Sequence, residues 1–204
     1  MSTRDILIEG YQHYCNNVSD IYEHLPTLNN YAQQCNHITE CGVRGIVSSY
    51  ALAHGLLDKS PAKLIQVDLA KDENSDAFIQ LCKLNNIDCV FYQQSDLECP
   101  IEDTDLLFID TWHVYGHLKR ELSRWHSHVS KYIIMHDTTV DEWLGESIRL
   151  GLNFEEQSAS TGIPVEEIIK GLWYAINEFL VQHPEWIIEK RFVNNNGLTI
   201  LRRV

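Results

Sequence analysis

The chain predicts an α/β fold: a doubly wound, largely parallel sheet that ends in an antiparallel hairpin. Three observations carry that prediction. Short apolar runs at Lys63–Val67, Cys89–Tyr92, Leu106–Ile109 and Tyr132–Met135 alternate with segments of helical spacing. Residues 104–139 read as strand, crossover helix, strand. Val114, Leu118, Leu122, Trp125 and Val129 recur there at steps of three or four, and such a connection makes the flanking strands parallel neighbours. Finally, Trp186–Val193 and Leu198–Arg203 flank an Asn-rich turn at Asn194–Gly197, the pattern of a β-hairpin.

With 204 residues and 44% hydrophobic content, one domain over 1–204 with a sizeable core is expected. No apolar run approaches the roughly 20 residues of a membrane span, and MSTRDILIEG lacks the long apolar core of a signal peptide. A cytoplasmic protein is therefore expected. The six cysteines contain no C-x-x-C pair, which argues against zinc and for buried reduced thiols. A net charge of −13 repels phosphate backbones, so nucleic acid is excluded as partner. The Lys119, Arg120, Arg124 cluster reads as a solvated helix face.

In chain order, residues 3–35 read as helical with a break near Pro26, within a helical cover over 1–36. His37–Cys41 opens the first strand, which runs into Glu40-Cys41-Gly42-Val43-Arg44-Gly45 and a helix from Ile46 to Leu57. Glycines at a strand-to-helix turn admit a ligand close to the backbone, and the helix start offers free N–H groups. The second strand ends in Asp68, an acid placed to accept ribose hydroxyls. A helix over Asn74–Asn85 and a third strand lead to Gln93-Gln94-Ser95-Asp96, polar residues suited to a base edge. The fourth strand ends in Asp110 and the fifth in His136-Asp137. Residues 141–163 show poor periodicity, with EEQSASTG loop-like, and read as a substrate lid. Pro164 then opens a helix reaching Gln182.

Asp110 and Asp137 thus meet at the carboxyl edge, where open α/β sheets place their ligands. With His136 beside them, they suit a hard metal ion or general-base chemistry; the plainer alternative is that both acids cap helices. His113, three residues beyond Asp110, is placed to take a hydroxyl proton. His117 follows one turn later, and His126 and His128 read as solvated.

The motifs ITECGVRGIVSSYALA, QVDLA, DLLFIDTWHVYGHLKRELSRW and KYIIMHDTT resemble, in order and spacing, those of class I S-adenosylmethionine (SAM)-dependent methyltransferases. The similarity points to the branch of sugar and small-molecule O-methyltransferases grouped with cephalosporin-hydroxylase-like proteins. It implies a Rossmann-like sheet of seven strands in the order 3-2-1-4-5-7-6, and SAM as cofactor. It implies that Glu40, Gly42 and Gly45 shape the methionine pocket, Asp68 holds the ribose, and Ser95 and Asp96 lie near the adenine. Asp110 and Asp137 would bind Mg²⁺ or Mn²⁺, with His136 as third ligand, and His113 would be the base. The implied reaction is methylation of a sugar, glycan or small-molecule hydroxyl. Homo-oligomerisation is left open.

Two other functions compete. One is an NAD-dependent oxidoreductase or epimerase, although Glu40 stands where the first glycine of G-x-G-x-x-G belongs. The other is a catalytically silent SAM-fold partner module. Thr111-Trp112 in place of Gly-Asp, and His136 in place of an acid, keep it in play.

Overall fold

Runs of β-branched and aliphatic residues bounded by polar turns set the strands. In the computed structural model, which describes residues 1–204, these are β1 (His37–Cys41), β2 (Lys63–Asp68), β3 (Asp88–Gln93), β4 (Thr104–Ile109), β5 (Val129–His136), β6 (Trp186–Phe192) and β7 (Leu198–Arg203). They form one seven-stranded sheet in the order β3-β2-β1-β4-β5-β7-β6. The first five are parallel, and β7 runs antiparallel to both β5 and β6. Both the predicted order and the hairpin are present.

Successive strand residues face opposite sides of the sheet, so each strand feeds two cores. Leu106, Phe108 and Ile134 join the core beneath α1 (Thr3–Asn16), α2 (Leu25–Ala32), α3 (Val47–Leu56) and α4 (Ser75–Leu84). Leu107, Ile109, Ile133 and Met135 join the core beneath α5 (Tyr115–Trp125) and α9 (Leu172–Gln182). Between α5 and α9 lie three short helices: α6 (Glu146–Arg149), α7 (Phe154–Thr161) and α8 (Val165–Ile168). All six cysteines are free, five of them buried. No helix is long and apolar enough to cross a membrane.

Four expectations are corrected. The break in the N-terminal helix precedes Pro26, which sits in the first turn of α2, where its missing N–H costs nothing. The loop-like 155–162 run is helix α7, started by Asn153, whose side chain accepts from the amides of Glu155 and Glu156. Its stripe was illegible because α7 buries none of its residues. The single helix after Pro164 is two, α8 and α9. They part at Gly171, where a Cβ would come within 2.4 Å of the Asp141 carbonyl oxygen. His126 is mostly buried, its side chain 19% exposed, because it packs edge-on against Phe179 at 5.6 Å between ring centroids.

The basic cluster on α5 is paired, as a solvated face should be. Lys119 meets Glu178, Arg120 meets Glu167, and Arg124 donates to the Cys99 carbonyl.

Candidate functional site

The carboxyl ends of the five parallel strands open into a cavity of about 930 Å³. Gly42, Gly45, Asp68, Ser95, Asp96, Asp110, His113 and Asp137 line it together, as do Glu146 and Thr161 from the 141–163 segment. Glu40 and His136, also predicted site residues, lie just behind the wall at 0% and 1% exposure.

The glycine turn is locally strained. Gly42, Gly45 and Ile46 have φ of +88°, +72° and +51°. A β-branched residue in the left-handed region is a costly arrangement, found where surrounding structure over-determines it. Glu40 stabilises this turn from below. Its Oε1 accepts from the Ser48 hydroxyl at 2.6 Å; its Oε2 accepts from the Ser49 hydroxyl at 2.6 Å and the Gln66 amide at 3.0 Å. Burial raises its pKa to about 7 against those three hydrogen bonds. Glu40 therefore supports the turn from the interior rather than lining the cavity. Asp68 pins the turn from the next strand: Oδ2 accepts from the Val43 N–H at 2.7 Å and Oδ1 from the Ala70 N–H at 3.0 Å. A carboxylate has about four acceptor positions, so two remain for a ligand.

At the far end Asp96 meets His117, Oδ1 to Nε2 at 3.3 Å. Glu121 lies behind them with no exposure. Burial and the neighbouring Asp96 push its pKa well above the carboxylate range, so it keeps a proton. That proton, with His117, lets Asp96 stay ionised although burial opposes it. Sequence reasoning missed Glu121. Its signal was a lone acid on the apolar stripe of the crossover helix, beside Leu118, Leu122 and Trp125.

The centre of the site is a knot of acids and imidazoles. His113 Nε2 stands 3.2 Å from Asp110 Oδ1 and 3.1 Å from Asp137 Oδ2. His136 Nδ1 faces the same two oxygens at 3.4 and 3.3 Å. The other nitrogen of His136 lies 3.2 Å from the Asn195 carbonyl, so it must donate there. Asn195 belongs to the hairpin turn, which thereby orients the ring. On its opposite side His113 Nδ1 approaches Glu146 Oε2 at 3.3 Å. Burial disfavours charge on both rings, yet the surrounding carboxylates win. His136 rises to about 10 and His113 well above its usual range. Asp110 is correspondingly lowered, with the two histidines outweighing its burial.

Two nitrogens aimed at two carboxylate oxygens need a positive charge between them, either protons or a metal ion. The donor set fits a metal. Asp110, His113 and Asp137 offer ligand atoms all within 4.8 Å of one another, and His136 Nδ1, at 3.4 and 3.3 Å from the same two carboxylate oxygens, is the alternative nitrogen ligand that would leave His113 free. Asp137 Oδ1 is buried without a partner, and Asp137 is held at φ +57°. Asp141 and Arg149, not singled out in the sequence, close the knot from behind. Arg149 donates to both oxygens of the wholly buried Asp141, at 2.7 and 2.8 Å. Thr111 donates to Glu121 and the Trp112 indole to Ser147, so both residues knit the site to α5 and α6.

No protein-family model matches the chain, and no curated protein matches its sequence. Solved structures do match. The O-methyltransferase TomG of Streptomyces achromogenes, involved in tomaymycin synthesis and solved with SAM, aligns at a TM-score of 0.60. Identity is 13%, over 100% of this chain and 90% of that one. The O-methyltransferase of Bacillus cereus in complex with SAH (S-adenosylhomocysteine) aligns at 0.58 with 15% identity, over 99% and 90%. An SAH-bound methyltransferase of Podospora anserina aligns at 0.59 with 14% identity, over 98% and 88%. The fold is that of the class I methyltransferases.

Proposed function

We propose that residues 1–204 form a SAM-dependent O-methyltransferase that alkylates a hydroxyl of a sugar or other polar small molecule with the help of a divalent cation. The observation that carries this is the single cavity joining Asp68, Asp96, Asp110 and Asp137, acids at the carboxyl ends of four of the five parallel strands. The sugar or small-molecule hydroxyl as acceptor rests on the motif resemblance.

Bound there, SAM supplies a methyl group on a sulfonium. Gly42 and Gly45 would keep the turn free of side chains on the methionine side, and Asp68 would accept from the ribose diol. Ser95 and Asp96 would lie near the adenine. Asp110, Asp137 and His136 would hold Mg²⁺ or Mn²⁺, which supplies a Lewis acid to the acceptor oxygen. His113 lies on the cavity side of the same oxygens. Asp110, Asp137 and Glu146 raise its pKa well above the usual imidazole range against burial. With a cation on Asp110 and Asp137 to offset their charge, it would be the base placed to take the hydroxyl proton. Residues 141–163 cover the acceptor side.

Calorimetry with SAM, SAH and NAD, followed by a mass-spectrometric methylation screen over deoxysugar glycosides and catechols, tests this. Tight SAH binding and transfer to one hydroxyl class is expected. Preference for NAD would transfer the chain to the oxidoreductases, and SAM binding without transfer to any acceptor would mark a silent module.

A further inference from the structure

At the opposite edge of the sheet, three metal-ligating side chains converge that the cavity does not use. His126 follows the last turn of α5, three residues before β5 begins; Asp137 follows the end of the same strand. Eight strand residues at about 3.3 Å each separate the two places by roughly 25 Å. His183 and Glu185 flank Pro184 in the turn from α9 to β6. Chain segments almost 60 residues apart therefore supply the group.

His126, His183 and Glu185 present ligand atoms all within 4.8 Å of one another. Glu185 Oε1 lies 3.4 Å from His183 Nδ1 and 3.9 Å from His126 Nδ1. Two ligands on one tetrahedral zinc, each about 2.0–2.1 Å from it, stand about 3.3 Å apart. The Glu185–His183 spacing already matches this, and the Glu185–His126 spacing of 3.9 Å needs about 0.6 Å of closure. The two imidazoles lie 4.0 Å apart between centroids, so their Nδ1 atoms address the same carboxylate oxygen. Phe179 packs against both rings, at 5.6 and 4.6 Å, and fixes them. His126 Nδ1 is buried yet has no hydrogen-bond partner, an arrangement that leaves a lone pair or proton unsatisfied. Burial and the adjacent His183 lower the pKa of His126, so it is a neutral ligand at pH 7. His183 and Glu185 stay 25% and 35% exposed, which leaves an entry path and room for water as a fourth ligand.

We infer that His126, His183 and Glu185 form a second metal site, for a zinc-class transition-metal dication, that clasps the end of α5 to the α9–β6 turn. Two imidazoles and one carboxylate select zinc, nickel or copper over Mg²⁺ and Ca²⁺, which take all-oxygen sets. The site is remote from the cavity and independent of what the cavity does.

The 204-residue protein, stripped with chelator, is dialysed against Zn²⁺ in excess Mg²⁺, and bound zinc is counted by elemental analysis. His183→Gln and Glu185→Gln should each hold one equivalent less than the unmodified chain, whereas Asp137→Asn should keep that equivalent. Zn²⁺ should raise the unfolding temperature of Asp137→Asn by several degrees, and should not do so once His183→Gln is added. Glu185→Gln, at a part-exposed position, keeps the test open if the histidine variant fails to fold. Undiminished zinc in both His183→Gln and Glu185→Gln would overturn the site.

Discussion

A Cβ built on Gly42 would stand 1.9 Å from the main-chain carbonyl oxygen of Asp110. The glycine turn after β1 and the acid after β4 are thus in backbone contact, because the Asp110 amide also donates to the Cys41 carbonyl. A glycine at 42 leaves room for a ligand and, nearer still, room for Asp110.

Gly42→Ala should therefore destabilise the ligand-free protein. Left-handed strain of about 1–2 kcal/mol and overlap of similar size predict a loss of at least about 2 kcal/mol. Urea unfolding without SAM reads it. Unchanged stability with weakened SAM binding would restore the ligand-space explanation.

Asp68→Ala removes the ribose acceptor together with the acceptor for Val43 and Ala70. A loss of about 1.5–3 kcal/mol in SAH affinity is expected, the usual worth of a hydrogen bond to a charged group. Asp68→Asn keeps one acceptor and should lose less. Titration calorimetry separates the two, and equal affinity in all three proteins would remove Asp68 from the cofactor site.

The hairpin and the meeting of Asp110 with Asp137 were legible because each rests on a local pattern, whereas the strand order was implied by the motif resemblance. A strand, a crossover helix and a strand leave their ends side by side whatever the loops do. What was illegible depends on contacts between distant segments. Asp141 reads as one more surface acid until Arg149 covers it. The orientation of His136 is set by Asn195, 59 residues away. Helix α7 buries nothing, so no periodicity marks it, and only the cap residue Asn153 announces its start.

Glu40 predicts an unusual pH dependence. Its pKa in the folded chain, about 7, lies above the ordinary 4.5. The folded state binds this proton more tightly, so stability falls as pH rises from about 4.5 to 7 and is level beyond. The shift corresponds to about 3 kcal/mol, an order-of-magnitude figure. Glu40→Gln can still accept from Ser49 and Gln66, while Ser48 turns to accept from the new amide. Its stability should be flatter over that window by urea unfolding at stepped pH. Parallel curves for the two proteins would show that Glu40 titrates normally.

Helix α7 should be the weakest element around the cavity. It buries no residue, while its flank is held by Asp141 and Arg149. Amide exchange across 154–161 should be fast in the free protein and slow with SAH and an acceptor bound, and residues 172–182 should be slow throughout. Asn153→Ala should speed exchange in α7 further, since a lost cap costs about 1 kcal/mol. Slow exchange of α7 without ligand would rule out a moving cover.

The acid–imidazole knot ties cation binding to pH. His136 has its pKa raised to about 10 from 6.5, chiefly by Asp110 and Asp137 overcoming burial. In chelated protein its ion pairs are fully present below about pH 6.5 and are lost as pH rises towards 10. A cation must replace the His136 proton, because Nε2 is committed to Asn195 and only Nδ1 faces the acids. Binding therefore releases protons, and Mn²⁺ affinity should climb with pH up to about 10, by up to about tenfold per unit for each proton released, and level off above. Mn²⁺ should in turn slow the loss of stability at high pH. Asp137→Asn removes one of the two charges and should weaken Mn²⁺ by at least about tenfold, the equivalent of 1.4 kcal/mol. It should also bring His136 back towards 6.5, which imidazole NMR titration of the chelated protein reads directly. Methyl transfer should stop on exhaustive EDTA treatment and return on addition of Mg²⁺ or Mn²⁺. Full turnover in the chelated protein, or Mn²⁺ affinity indifferent to pH, would leave Asp110 and Asp137 as partners of protonated histidines and nothing more.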